Sequence, residues 1–334
     1  MAEPHEPGSY LKATLESQPA ELFRLLADDS ATRAATRLSD CGRIFLAGTG
    51  TSYHGALAGQ FILRSAGVDA WAVRAFEFAN YPPRLRPDDG LIVLSHRGSK
   101  RFSRDSLDWF AQSSERWIAI TGEDSPMQGD GVVRTVVQER SPVHTASHTA
   151  ALLRIAQIAA ALGRPTWLAS LGDIPRAVQL AVDQGDGVAA EVSRLEFQPV
   201  THFVGGGPAR ATAYEGALKL REASHAVSAE GHDVEGVLHG PLVSIQSGQV
   251  VVLIPQPGAS FERIQQVGAA LLEIGATVLS FAPGSDVDES LAPIVNVVPL
   301  QWLAYHVSRK LGVDADSFRR DEPRYEAAQS RFTL

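Results

Sequence analysis

The feature that most constrains this chain is that it repeats itself. At an offset of roughly 160 residues, RIFLAGTGTS (Arg43 to Ser52) lies over THFVGGGPAR (Thr201 to Arg210), each an apolar strand running into glycines and then a helical pattern. GLIVLS from Gly90 lies over VVVLIP from Val250, WIAIT from Trp117 over TVLSF from Thr277, and VRTVV from Val133 over IVNVV from Ile294. Four matched strands suggest a duplication. Between them run helical patterns at Gly55 to Ser65, Arg104 to Gln112, Thr145 to Leu162, Ala209 to Ala223, Ser260 to Ile274 and Gln301 to Leu311. That alternation predicts an α/β fold in which each half is a doubly wound parallel sheet with helices on both faces.

At 334 residues the chain exceeds the usual single-domain size, which agrees with two domains, residues 1–168 and 169–334. The boundary falls in GRPTWLASLGD, Gly163 to Asp173, where Gly and Pro gather. Ahead of the first repeat, Tyr10 to Leu38 reads as helix, with Ser17 and Pro19 as cap and first-turn residue near a break. Ile174 to Phe197 reads as a second long helix. No apolar run approaches a membrane span and no secretory signal is visible at MAEPHEPGSY. The single Cys41 cannot form an internal disulfide, so a cytoplasmic location is expected. Net charge is -8 with scattered basic residues, which argues against a nucleic-acid partner. The histidines lack metal-ligand spacing, there is no HExxH or CxxC, and neither a metal nor a cofactor is expected.

In such sheets ligands sit beyond the carboxyl ends of the strands, and two loops of the first half lie there. AGTGTSYHG offers glycines for close backbone approach and hydroxyls at Thr49, Thr51 and Ser52 before a helix start that attracts anions. On its own it reads more readily as an ordinary strand-to-helix turn. VLSHRGSKRFS then follows the second strand, with Ser95 at the strand end, Gly98 at the bend and donors on Arg97, Ser99 and Lys100. Together the loops make a pocket for a phosphate or carboxylate; the competing reading of the second is a solvated basic loop. Only four of the 30 basic residues are lysine, and two of these, Lys100 and Lys219, fall in the motifs, where an ammonium and a guanidinium are not interchangeable.

In EGALKLRE, Glu215, Lys219 and Glu222 share one helix face at i, i+4 and i+7. From spacing alone this is a surface pair worth about 0.2 to 0.5 kcal/mol. His239, in VLHGP, stands beside a turn at Gly240 and Pro241 and by itself reads as a structural histidine.

The order GTSYHGAL, EGALKLREAS, LHGPL resembles the tandem sugar isomerase (SIS) domains of the isomerase half of glucosamine-6-phosphate synthase and its free-standing relatives. The resemblance covers nearly the whole chain and implies two flavodoxin-like layers sharing a phosphosugar site. It implies that Glu222 is the base moving a proton between C1 and C2, that Lys219 is an active-site lysine, and that His239 opens the sugar ring. Gly50, Thr51, Ser52, Ser95, Arg97, Gly98, Ser99, Lys100 and Glu215 become substrate-binding residues, joined by Val143 and Thr145 of SPVHTASHTAALLRI. A plain N-cap is an equal reading of Thr145. The chemistry suits these residue types: aldose–ketose conversion needs a base reaching both carbons, donors for the enediolate oxygens and an acid–base group for the ring oxygen.

Departures from the family pattern limit what carries over. The turn SQSGET of the synthase is SHRGSK here, so cations replace hydroxyls, and no lysine follows Lys310, leaving Arg324 or Arg331 as candidates to cap the pocket. No N-terminal cysteine nucleophile of a glutamine-hydrolysing domain is present. The expected activity is therefore a phosphosugar isomerase or deaminase of amino sugar metabolism acting on an amino-sugar phosphate such as glucosamine 6-phosphate. A non-catalytic sugar-phosphate sensor is the alternative. The likeness also implies a homodimer.

Overall fold

A computed structural model of the chain describes residues 5–197, 200–282 and 286–332. In chain order the helices and strands are α1 (Ser9–Leu26), α2 (Ser30–Ala35), β1 (Arg43–Gly48), α3 (Thr51–Ser65), β2 (Ala70–Arg74), α4 (Ala75–Asn80), β3 (Asp89–Leu94), α5 (Arg101–Ala111), β4 (Trp117–Thr121), β5 (Val132–Arg134), α6 (Ala146–Leu162), α7 (Ile174–Asp183), α8 (Gly185–Arg194), β6 (Val200–Gly205), α9 (Ala209–Ser224), β7 (Ser228–Asp233), β8 (Val250–Ile254), α10 (Phe261–Ile274), β9 (Thr277–Ser280), α11 (Pro293–Lys310) and α12 (Pro323–Gln329). They fall into two compact units. One is built from Gln18–Glu139 and Ala146–Pro175; the other from the chain up to Ser17, Arg140–Thr145 and Arg176–Arg331.

The first unit holds a parallel sheet in the order β2-β1-β3-β4-β5, the second a parallel sheet in the order β7-β6-β8-β9. The α/β class with two parallel sheets expected from the repeat is therefore present, and the five-stranded order is that of flavodoxin-like doubly wound folds. Strands buried on both faces need unbroken apolar runs, and all six residues of β3 are buried. On one face Phe45, Ala47, Leu91, Val93 and Ala119 pack with Phe78 of α4 and with Leu107 and Phe110 of α5. In the second unit Val204, Val251 and Leu253 pack against Ile264, Val267 and Leu271, the i, i+3, i+7 stripe of α10.

The two sheets share one feature where strand meets helix. A Cβ added to Gly48, the last residue of β1, would sit 2.4 Å from the backbone of Ser52; one added to Gly205, the last residue of β6, would sit 2.3 Å from the carbonyl of Ala209. Both glycines let the following helix start against the strand end, where the first free N–H groups of a helix gather.

Three sequence expectations are corrected. IVNVV from Ile294 is not a fourth matched strand; it lies inside α11, whose first residue is Pro293. A short, wholly apolar run serves a buried helix as well as a buried strand, and Ile294, Val295, Val297 and Val298 are all buried. Ser17 and Pro19 mark no break, since Pro19 lies inside α1; the break falls after Leu26. The helix expected over 174–197 divides at Gln184 into α7 and α8. Two strands, β2 and β7, were not expected, and each pairs in parallel with the first strand of its sheet.

Candidate functional site

In the first unit the two candidate loops leave adjacent strands, because β1 and β3 pair in register from Arg43↔Asp89 to Ala47↔Val93. Gly50 takes a positive φ of 56° as the residue before α3, and Thr51 and Ser52 are its first residues. Ser52 N–H and Tyr53 N–H are already turned back onto the carbonyls of Thr49 and Gly50. The loop is thus a tight helix entry.

Ser95 follows β3 directly. Its N–H donates to the Ile120 carbonyl at 3.0 Å, and its carbonyl accepts from Thr121 Oγ1 at 2.7 Å. Its own Oγ is buried and makes no hydrogen bond with the described residues. An unsatisfied buried hydroxyl costs about 1–3 kcal/mol, so this one is held at the strand end by the backbone around it. The turn closes with the Gly98 N–H on the Ser95 carbonyl at 2.9 Å. Gly98 has φ of 65°, and a Cβ there would lie 1.9 Å from Ser125 Oγ. Arg97 is half-buried, Ser99 exposed, and Lys100 half-buried immediately before α5. His96 packs inside, where burial lowers its pKa below the ordinary value.

In the second unit α9 brings together Glu215, Lys219 and Glu222 of EGALKLRE. Lys219 Nζ donates to Glu222 Oε2 at 2.6 Å and lies 3.3 Å from Glu215 Oε1. Glu215 and Lys219 are wholly buried, whereas the Glu222 side chain keeps 19% of its exposure. The surface-pair reading drawn from spacing alone is therefore overturned. Neighbours decide the burial: α9 packs against α11, β6 and β7, and a Cβ on Gly216 would meet Leu300 and Phe203. Two carboxylates sharing one ammonium leave Glu222 as the carboxylate with solvent access.

His239 follows a short 3-10 turn, Gly236–Leu238, and its side chain is 79% exposed. Its Nε2 lies 3.8 Å from Glu235, which Arg263 also engages. Val143 is fully buried with its N–H on Ser141 Oγ at 3.3 Å. Thr145, just before α6, donates from Oγ1 to Thr14 Oγ1 at 3.0 Å. Arg331 and Arg324 are exposed, and Arg324 pairs with Glu322 at 3.3 Å.

Sequence reasoning missed Thr121, whose hydroxyl fixes the Ser95 turn, and Glu139, whose carboxylate accepts from the N–H groups of Ala146 and Ser147 at the start of α6. The threonine closing WIAIT was the visible signal for the first. It also missed Arg319, which bonds the His225 carbonyl after α9 and stacks over Tyr325.

Residues 37–162 match the family described as the SIS domain. The chain is similar to glutamine–fructose-6-phosphate aminotransferase [isomerizing] of Methanothermobacter thermautotrophicus, 27% identical over 95% of this chain and 57% of the relative. The enzyme of the same name from Gloeobacter violaceus is 29% identical over 96% of this chain and 57% of its own length. The chain thus spans just over half the length of these curated relatives. Among solved structures it superposes on the C-terminal domain of glucosamine-fructose-6-phosphate aminotransferase from Francisella tularensis with a TM-score of 0.81, 19% identity and coverage of 92% and 98%. It superposes on glucosamine-6-phosphate deaminase from Thermotoga maritima with a TM-score of 0.78, 22% identity and coverage of 92% and 97%. At these identities the structures establish the fold.

Among the described residues no helix is long and apolar enough to cross a membrane.

Proposed function

We propose that the chain is a phosphosugar aldose–ketose isomerase or deaminase, acting on an amino-sugar phosphate such as glucosamine 6-phosphate by proton transfer between C1 and C2. The observation that carries the reading is the α9 constellation: a carboxylate with solvent access, Glu222, held at 2.6 Å by a buried ammonium that a second, fully buried carboxylate also faces. A helix does not bury a carboxylate and an ammonium for stability alone, because their desolvation offsets the Coulomb gain. The relatives, named as isomerizing aminotransferases, support the same chemistry.

In this reading Glu222 is the base, Lys219 positions it and supplies positive charge toward developing enediolate oxygens, and the exposed His239 serves ring opening. Anion binding is assigned to Gly50, Thr51, Ser52, Ser95, Arg97, Gly98, Ser99 and Lys100, with Val143, Thr145 and Glu215 supporting the substrate. The second sheet is read as a second SIS-type unit, giving two domains at residues 1–168 and 169–334. The protein is read as a homodimer, which light scattering checks: a monomer mass at assay concentration removes that part.

The experiment is direct. The chain is incubated with glucosamine 6-phosphate in D2O, and ammonia, ketose phosphate and deuterium at C2 are measured together. Deuterium incorporation that Glu222→Gln abolishes supports the reading. Ammonia together with ketose phosphate marks the deaminase; no ammonia from glucosamine 6-phosphate, with aldose–ketose interconversion of a C2-hydroxyl sugar phosphate such as glucose 6-phosphate, marks the isomerase, because a C2 amine becomes a ketone only by losing its nitrogen. Tight binding of sugar phosphates with neither exchange nor turnover identifies the sensor instead, a reading favoured by the replacement of hydroxyls with Arg97 and Lys100 in the Ser95 turn.

A further inference from the structure

We propose that His202, Glu230 and His232 form a binding site for a zinc-class divalent cation, bridging β6 to the edge strand β7. His202 pairs with Glu230 and Val204 with His232 across the two parallel strands. Residues directly opposite, and two apart along a strand, point to one face of a sheet, so the three side chains converge. His202 Nδ1 lies 3.0 Å from His232 Nε2, and Glu230 Oε2 lies 4.0 Å from the first and 3.6 Å from the second. A tetrahedral zinc ion with bonds of about 2.0–2.1 Å holds its ligand atoms roughly 3.3 Å apart, a spacing these distances bracket. A small adjustment of the exposed Glu230 side chain completes the set.

The chemistry of the donors selects the metal. Two imidazoles and one carboxylate suit zinc, cobalt or copper rather than calcium or magnesium, which prefer all-oxygen shells. Three protein ligands leave a fourth position, on the solvent side because Glu230 is 56% exposed while His202 is 4% exposed. Burial lowers the pKa of His202, with the neighbouring ring of His232 acting in the same direction. Burial also lowers that of His232 against the opposing charges of Glu230 and Asp233. Both rings therefore offer lone pairs at neutral pH.

Without metal, the facing nitrogens share a proton in a hydrogen bond. The cation takes that proton's place, and His202 then carries its own proton on Nε2, 3.4 Å from the Gln249 amide. Metal-bound histidines donate this second N–H to an oxygen, so metal binding requires the Gln249 amide to turn its oxygen toward His202 and give up its bonds to the Val200 carbonyl and the Gln246 N–H. Sequence spacing could not reveal the site, because His202 and His232 are 30 positions apart and meet only through strand register. His5, Asp314 and Asp316 also cluster in this unit, but their carboxylates already accept the N–H groups of Gly8, Tyr10 and Leu11 and serve to anchor the start of α1.

The test uses the full chain stripped with chelator and titrated with Zn(II) against a chromophoric competitor, and separately with Co(II). The expected results are one tight equivalent and the intense visible bands of tetrahedral cobalt. Glu230→Gln, at an exposed position that does not threaten folding, and His232→Ala should each weaken binding by more than about 10-fold, the lower range for losing even an outer-shell partner. His5→Ala should leave affinity unchanged. Absence of binding, affinity undiminished in both Glu230→Gln and His232→Ala, loss in His5→Ala, or a pale octahedral cobalt spectrum each overturns the proposal.

Discussion

Replacing Lys219 with methionine tests the α9 constellation most directly. The substitution keeps side-chain length and removes the ammonium between two carboxylates. With an effective dielectric near 20, unit charges at the 3.3 Å separation of Lys219 and Glu215 attract by about 5 kcal/mol. Removing one member of a buried pair costs about 3–5 kcal/mol, because the other charge stays in place. Glu222 contributes less, since its partial exposure lets water screen it. The expected loss is therefore about 3–5 kcal/mol, read from the urea-unfolding midpoint by far-UV circular dichroism. Adding Glu215→Gln to Lys219→Met should recover about half, because the remaining buried group is then a neutral amide. A Lys219→Met variant within about 1 kcal/mol of the parent, or a double variant whose losses simply add, would refute burial as the reason the pair is costly to break.

Glu222→Gln should lower C2 proton exchange by about 10²–10⁴-fold, the usual contribution of a positioned base, with substrate affinity by calorimetry nearly unchanged; retained exchange removes Glu222 as the base. Ser95→Ala or Lys100→Ala should raise the dissociation constant for sugar phosphate more than it lowers turnover, and unaltered affinity would relocate the anion site. Gly48→Ala and Gly205→Ala should each destabilise by about 1–3 kcal/mol through clash with the following helix, and thermal melts matching the parent would contradict that packing. The Asp28 pKa is lowered to about 2: burial pushes it upward, but hydrogen bonds from Ser30 and Arg154 outweigh this. Its stabilising contribution is present above the ordinary value of 3.8 and fades as pH falls toward about 2. Asp28→Asn should accordingly flatten the acid limb of stability between pH 4 and 2, and an unchanged limb assigns acid unfolding to other groups.

How much was legible varied with the kind of information each residue carried. The strands β1, β3, β4 and β8 were readable because parallel strands buried on both faces carry near-continuous apolar runs, and β6 and β9 from their place in the repeat. The same rule misled at Ile294, where the first turns of α11 are buried on every side. β7, SAEGHD, escaped notice because an edge strand tolerates polar residues on its open face. At the candidate site the turn at Ser95 and Gly98 was visible from its glycine and its place after an apolar run. Thr121 holds that turn from the end of the neighbouring strand, marked only by its place closing WIAIT, and Glu139 holds the start of α6 from the loop just before it.

Periodicity and the places where glycine can stand were enough to set the α/β alternation and the loops at the strand ends. Only the tertiary structure decided which charges are inside. Glu215, Lys219 and Glu222 have the spacing of an ordinary exposed helix pair, and His202 and His232 are strangers in sequence. Burial and proximity belong to the surfaces that α11 and the neighbouring strands bring to them, and no local pattern encodes those surfaces.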